Sequence, residues 1–133
     1  MYWLNFTLND LVLIIFKRCS KALQSIKEYQ ETVKQLKSTL QSDDQADIGP
    51  AIRQKLDFVK LRVDLNTLNS AFDEDTQRGT DRLIRLTLQD ITELDSANKQ
   101  KPNVPRSEKR IAIMIGKLDK LSKSFSDYIK FAV

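Results

Sequence analysis

Lys60-Leu61-Arg62-Val63-Asp64-Leu65-Asn66-Thr67-Leu68 is the stretch that decides the fold. Leu61, Leu65 and Leu68 are spaced by four and three, which places them on one side of an α-helix. Val59 and Val63, with Ile52 and Leu56 behind them, form a second apolar row beside the first. A helix with two such rows is covered on more than a narrow stripe and touches several neighbours. Arg62, Asp64 and Asn66 break that surface with polar groups. The spacing predicts a central bundle helix over residues 50–72, closed by Phe72 and opened by Gly49-Pro50, with proline suited to a first helical turn.

Outward from this stretch, the rest of the chain supplies packing partners. Residues 17–41 repeat Cys19, Ala22, Leu23, Ile26, Tyr29, Val33, Leu36 and Leu40 at helical spacing. Lys17, Arg18, Lys21, Lys27, Lys34 and Lys37 lie mostly off that stripe, against only Glu28 and Glu31. Residues 76–99 repeat Leu83, Ile84, Leu88, Ile91, Leu94 and Ala97. Asp73-Glu74-Asp75 precede them, and acids suit the positive end of a helix. Residues 107–131 carry Ile111, Met114, Ile115, Leu118, Leu121, Phe125, Tyr128 and Ile129, with Ser107 as cap. Lys109, Lys117, Lys120, Lys123 and Lys130 make this last helix basic. Residues 42–49 and 100–106 read as loops, the first acidic and the second stiffened by two prolines.

Residues 1–16 are the most apolar segment, from Trp3 and Phe6 through Leu11 to Phe16. The run is too short to span a bilayer, and its basic residues follow rather than precede it, unlike a secretory signal. Thr7 and Asp10 resemble a capping box with the shorter acid, so a helix can start there. The expected organisation is an apolar segment at 1–16 and one bundle domain at 17–133. The expected fold is all-α, an antiparallel four-helix bundle.

Composition removes several function classes. The chain has 133 residues, three glycines, three prolines and a net charge of +4. Histidine is absent, and with it the commonest general base and metal ligand. The lone cysteine excludes an intramolecular disulfide and a cysteine-built zinc site. The acidic loop lacks the glycine and glutamate of an EF-hand calcium site. No nucleophile–base pair is evident, so the reading is not an enzyme, with no catalytic, cofactor-binding or metal-ligating residue. The charge excess favours an acidic surface but is too small to indicate nucleic acid by itself. Lys17, Arg18, Lys21, Lys27, Lys34, Lys37, Lys117, Lys120 and Lys123, with Trp3 and Phe6, are the candidate partner-docking residues.

Two segments carry a family resemblance. Leu61-Arg62-Val63-Asp64-Leu65-Asn66-Thr67-Leu68 resembles the PsbQ family signature Leu-Arg-Tyr-Asp-Leu-Asn-Thr. About 25 residues later, Ile91-Thr92-Glu93-Leu94-Asp95-Ser96-Ala97 resembles that family's Leu-Asp-Asp-Leu-Asp-x-Ala segment. Arg62, Asp64, Leu65, Asn66, Thr67, Leu94 and Asp95 are the signature positions matched. Val63 replaces the usual tyrosine, and Gly49 stands where members often place tryptophan. The apolar amino-terminal segment differs from the proline-rich arm of plant members and suggests a red-lineage algal form. The resemblance implies a non-catalytic, extrinsic plastid protein of the thylakoid lumen. It would bind the lumenal face of photosystem II, beside the other extrinsic subunits, and stabilise the oxygen-evolving centre and its calcium and chloride. It implies no cofactor, no nucleic acid and no homo-oligomer. The alternatives are the PsbQ-like subunit of the thylakoid NAD(P)H dehydrogenase-like complex and, from another class, a basic helical nucleic-acid binder. The latter lacks stacking aromatics on a basic face.

Overall fold

The computed structural model describes residues 7–132, and all regular structure among them is helical. Five helices follow in order: α1 Leu8–Ser42, α2 Gly49–Lys55, α3 Phe58–Asn69, α4 Glu74–Asn98 and α5 Glu108–Ala132. Trp3 and Phe6 lie outside the described residues.

Local chemistry fixes most of the helix starts. The Thr7 hydroxyl accepts from Asp10 N at 3.1 Å, and the Asp10 carboxylate accepts from Thr7 N at 3.1 Å, a reciprocal capping box. Asp73 accepts from Thr76 N at 2.7 Å at the start of α4. Ser107 Oγ accepts from Arg110 N at 3.2 Å at the start of α5. The bounds expected at 76–99 and 107–131 differ from those observed only by the usual fraying of helix ends.

Two expectations are corrected. Residue 17 is not a helix start: α1 begins at Leu8, and the apolar residues 8–16 are its first turns. The capping box, not the change in composition, sets the boundary. Residues 50–72 are not one helix either. The backbone leaves the helical region at Leu56 and Asp57, and Asp57 caps α3 by accepting from Val59 N at 3.1 Å. An aspartate carboxylate here offers the chain a second start that competes with helix continuation. The break changes the helical phase. Ile52 and Leu56 are buried, whereas Val59 and Val63 are 69% and 57% exposed, so the expected second apolar row does not form.

The helices share one core. Ile26, Val33, Leu36 and Leu40 of α1 join Leu61, Leu65 and Leu68 of α3, Ile84, Leu88, Ile91 and Leu94 of α4, and Met114, Leu118, Leu121 and Phe125 of α5. Helix α1 packs on α3 and α5, α4 packs on α3 and α5, and α2 packs on α4. Cross-links set the direction of the α1–α5 pair. Gln30 Nε2 donates to Ser126 Oγ at 2.5 Å, and Lys37 Nζ meets Asp119 Oδ1 at 2.7 Å. Residue numbers rise on α1 as they fall on α5, so the two run antiparallel.

Carried forward, this register places the carboxyl end of α5 opposite the residues around Leu23 of α1. Burial on α1 accordingly begins only at Ala22. The preceding turns, Leu8 to about Ser20, project roughly 18 Å beyond α5 at 1.5 Å per residue. This projection is called the stalk below. The α3–α4 turn lies at the same end, because the Phe72 ring packs 6.0 Å from that of Tyr128.

Candidate docking surface

The stalk carries a concentration of exposed apolar side chains. Leu8, Leu11, Val12, Leu13, Ile15 and Phe16 are all exposed, Leu8 at 78% and Phe16 at 67%. Lys17, Arg18 and Lys21 follow directly and are also exposed. None of the three pairs with an acid among the described residues. At the tip, Thr7 Oγ1 and Thr7 N both donate to Asp10 and hold its carboxyl below the usual carboxylate range, so it stays ionised.

The remaining candidate cations are divided among different tasks. Lys27, Lys34 and Lys120 are exposed. Lys37 is bound to Asp119, and Lys123 meets Asp127 at 2.9 Å. Lys117 is an internal cross-link between α5 and α4. Its ammonium contacts Glu93 and lies 3.3 Å from Asp90. The hydrogen bond to Glu93 raises the Lys117 pKa above its ordinary value, and that same bond lowers Glu93. The cations named from the sequence therefore divide into an exposed collar at the stalk, scattered outer charges and structural ion pairs.

The signature residues serve the fold. Leu65 and Leu94 are fully buried. Tyr128 OH donates to the Leu65 carbonyl at 2.5 Å, tying α5 to α3. Asp64 does not pair with Arg62. It accepts from Tyr29 OH on α1 at 2.5 Å and from Lys60 Nζ at 3.1 Å. Arg62 instead lies over the Phe58 ring, 5.2 Å from its centroid. Thr67 returns its hydroxyl to the Val63 carbonyl, and Asn66 is exposed. Asp95 Oδ1 is buried, with Arg53 3.6 Å away as its charge partner.

At the opposite end, Arg106 is 5% exposed and joins both loops. Its Nη1 donates to the carbonyls of Asp44 and Ala46 at 3.1 and 2.7 Å. Its Nη2 donates to the Asn98 carbonyl and to Asn98 Oδ1 at 2.9 and 2.8 Å. Asn98 Nδ2 in turn donates to Asp47 at 2.8 Å, which lowers the Asp47 pKa. Gly49 lies close beside this cluster: a Cβ there would sit 2.9 Å from Asn98 Nδ2, so a larger residue would push on that side chain. In the sequence Arg106 stands at the end of the proline loop, close to Lys109 and Arg110. Nothing in residue type distinguishes it, and only the loop-to-loop approach gives its two terminal nitrogens four acceptors, while Nε is buried without one. A cleft of about 630 Å³ opens beside it, lined by Lys99, Lys101, Ser107 and Arg110 among others.

Among the described residues no cluster of three His, Cys, Asp or Glu is placed to hold a metal. No described helix is long and apolar enough to cross a membrane. The family model described as PsbQ, oxygen evolving enhancer protein 3, matches residues 12–124, nearly the whole chain. No curated protein and no solved structure matches it.

Proposed function

The chain belongs to the PsbQ family, and from that premise we propose that it is an extrinsic, non-catalytic subunit on the lumenal face of photosystem II. In this role it stabilises the oxygen-evolving complex and helps retain calcium and chloride. The family match over residues 12–124 carries the reading. Three features support it. The ring of contacts α1–α3–α4–α5 suits a four-helix bundle whose second helix is split, forming one domain from residue 17 onward. The core is filled by packed apolar side chains from all the helices. Exposed Lys17, Arg18 and Lys21 beside the apolar stalk suit attachment to a larger, partly acidic assembly at the thylakoid membrane, as a single copy per site.

Attachment of this kind weakens with salt, because exposed charges are screened over about 3 Å at 1 M ionic strength. Washing thylakoid membranes with about 1 M salt is expected to release the protein. Oxygen evolution should then fall and recover on addition of calcium and chloride. Unchanged oxygen evolution at low calcium and chloride after complete release would refute the role. Comigration with the NAD(P)H dehydrogenase-like complex on a native gel, rather than with photosystem II, would move the protein to that assembly.

A further inference from the structure

We propose that the stalk is a docking peg whose occupant is an apolar helix of a protein partner, flanked by carboxylates that meet Lys17, Arg18 and Lys21. The proposal rests on the photosystem reading above for where the partner resides, but not for its chemistry.

Leu8, Leu11, Val12, Ile15, Phe16 and Cys19 recur at three and four and share one side of the helix. This face continues the line of Ala22, Ile26, Tyr29 and Val33, which α3 and α5 cover lower down. Where α5 and the α3–α4 turn end, the cover ends and the apolar line does not. The stalk and the bundle end therefore form a notch with one apolar wall. A surface helix normally buries its apolar stripe, and among the described residues no element covers this one.

The occupant follows from the shape and charge of the notch. A bilayer is flat, and the bundle end lies beneath the apolar wall. Lipid reaching that wall would bring Asp73, Glu74 and Asp75 of the neighbouring turn, all exposed, into the headgroup layer. A helix, about 10 Å wide with its side chains, enters the notch without covering that turn. A second copy's stalk carries the same Lys17, Arg18 and Lys21 and only Asp10 as an acid, so it does not supply the complementary carboxylates. The cations choose the partner's sign. Among the described residues Lys17, Arg18 and Lys21 have no acidic partner, so carboxylates at the rim of the partner helix complement them.

The test uses the full chain and detergent-solubilised photosystem II cores stripped of their extrinsic subunits, with affinity measured by titration. Ile15→Asp with Phe16→Asp is expected to weaken binding about a hundredfold, as for central apolar contacts of an interface. Lys17→Glu, Arg18→Glu and Lys21→Glu together are expected to weaken it about tenfold or more at low salt and to flatten its salt dependence. Circular dichroism and melting should stay unchanged, since these side chains are exposed in the free protein. Wild-type affinity in the aspartate variant would overturn the proposal while leaving the photosystem reading intact. Failure of the wild-type chain to bind cores would instead refute that reading. Flotation of the wild-type chain with protein-free vesicles containing anionic lipid, abolished in the aspartate variant, would assign the stalk to lipid and overturn the helix partner. A dimer in sedimentation that the same variant dissolves would assign it to a second copy and do likewise.

Discussion

Tyr29 on α1 donates its hydroxyl hydrogen to Asp64 Oδ2 on α3 at 2.5 Å. Lys60 completes the group, 3.0 Å from the tyrosine oxygen and 3.1 Å from the same carboxylate oxygen. The link joins two helices that are otherwise held by apolar packing, and it uses the aspartate of the signature stretch. Tyr29→Phe is expected to lower unfolding stability by about 1–2 kcal/mol, the range for a lost hydrogen bond to a charged group when one partner stays satisfied. Urea unfolding of the two proteins measures it. A change below about 0.3 kcal/mol would show that the lysine alone holds Asp64.

Arg106→Lys is expected to cost more, about 2–4 kcal/mol. It keeps the charge, but an ammonium cannot reach the Asp44, Ala46 and Asn98 carbonyls together, and buried acceptors are left without donors. Chemical denaturation checks the magnitude. If the lysine variant is as stable as the parent, the loop cluster is not held by the guanidinium fork.

The break between α2 and α3 predicts a contrast between neighbouring positions. Asp57→Ala removes a cap and should cost about 1 kcal/mol. Val63→Asp, on an exposed site, should change stability by no more than about 0.5 kcal/mol. Leu65→Ala, two residues on and fully buried, should cost about 3 kcal/mol. An unbroken helix with two buried rows would make Val63→Asp severe, so melting of these three variants discriminates directly.

Those same residues show what the sequence could and could not disclose. Thr7, Asp73 and Ser107 act on backbone groups within three residues, so their capping roles are local and readable. Ile52, Leu56, Val59 and Val63 are spaced by four, three and four, which is the pattern of one continuous row. Periodicity carries no record of a carboxylate restarting the helix in the middle. The docking residues were harder still. Lys117 and Lys120 look equivalent in a list of cations, and only the approach of Asp90 and Glu93 on α4 makes one structural and leaves the other exposed. Lys17, Arg18 and Lys21 likewise stand in the sequence beside Lys27, Lys34 and Lys37, and only the end of α5 opposite Leu23 sets them apart.

Stability should be flat between about pH 5 and 9, because no histidine titrates in that window. Above it, stability should fall. Burial, then the hydrogen bond to Asp64, pushes Tyr29 from its ordinary 10.0 up to about 12, so the unfolded chain gives up this proton first. Lys60 and Lys117 act in the same direction. Their folded pKa values are raised, so their contribution is complete below the ordinary 10.5 and is lost as pH rises through the folded values. On the acid side Asp47 and Glu93 are lowered from 3.8 and 4.5, and their contribution is lost as pH falls through the folded values. Melting temperatures across pH 3–12 check this, and Tyr29→Phe should blunt the alkaline decline. A transition centred near pH 6.5 would contradict the assignment.

Helix α1 contains neither glycine nor proline over its 35 residues and is the only described element that reaches from the stalk to the loop clasped by Arg106. Such a helix has no built-in point of bending. It therefore acts as a lever. At about 52 Å long, a tilt of roughly 10° where the tip is seated swings the opposite end by about 9 Å. A partner that grips the tip would thereby also set the position of the far end, where Lys99, Lys101 and Arg110 line the cleft.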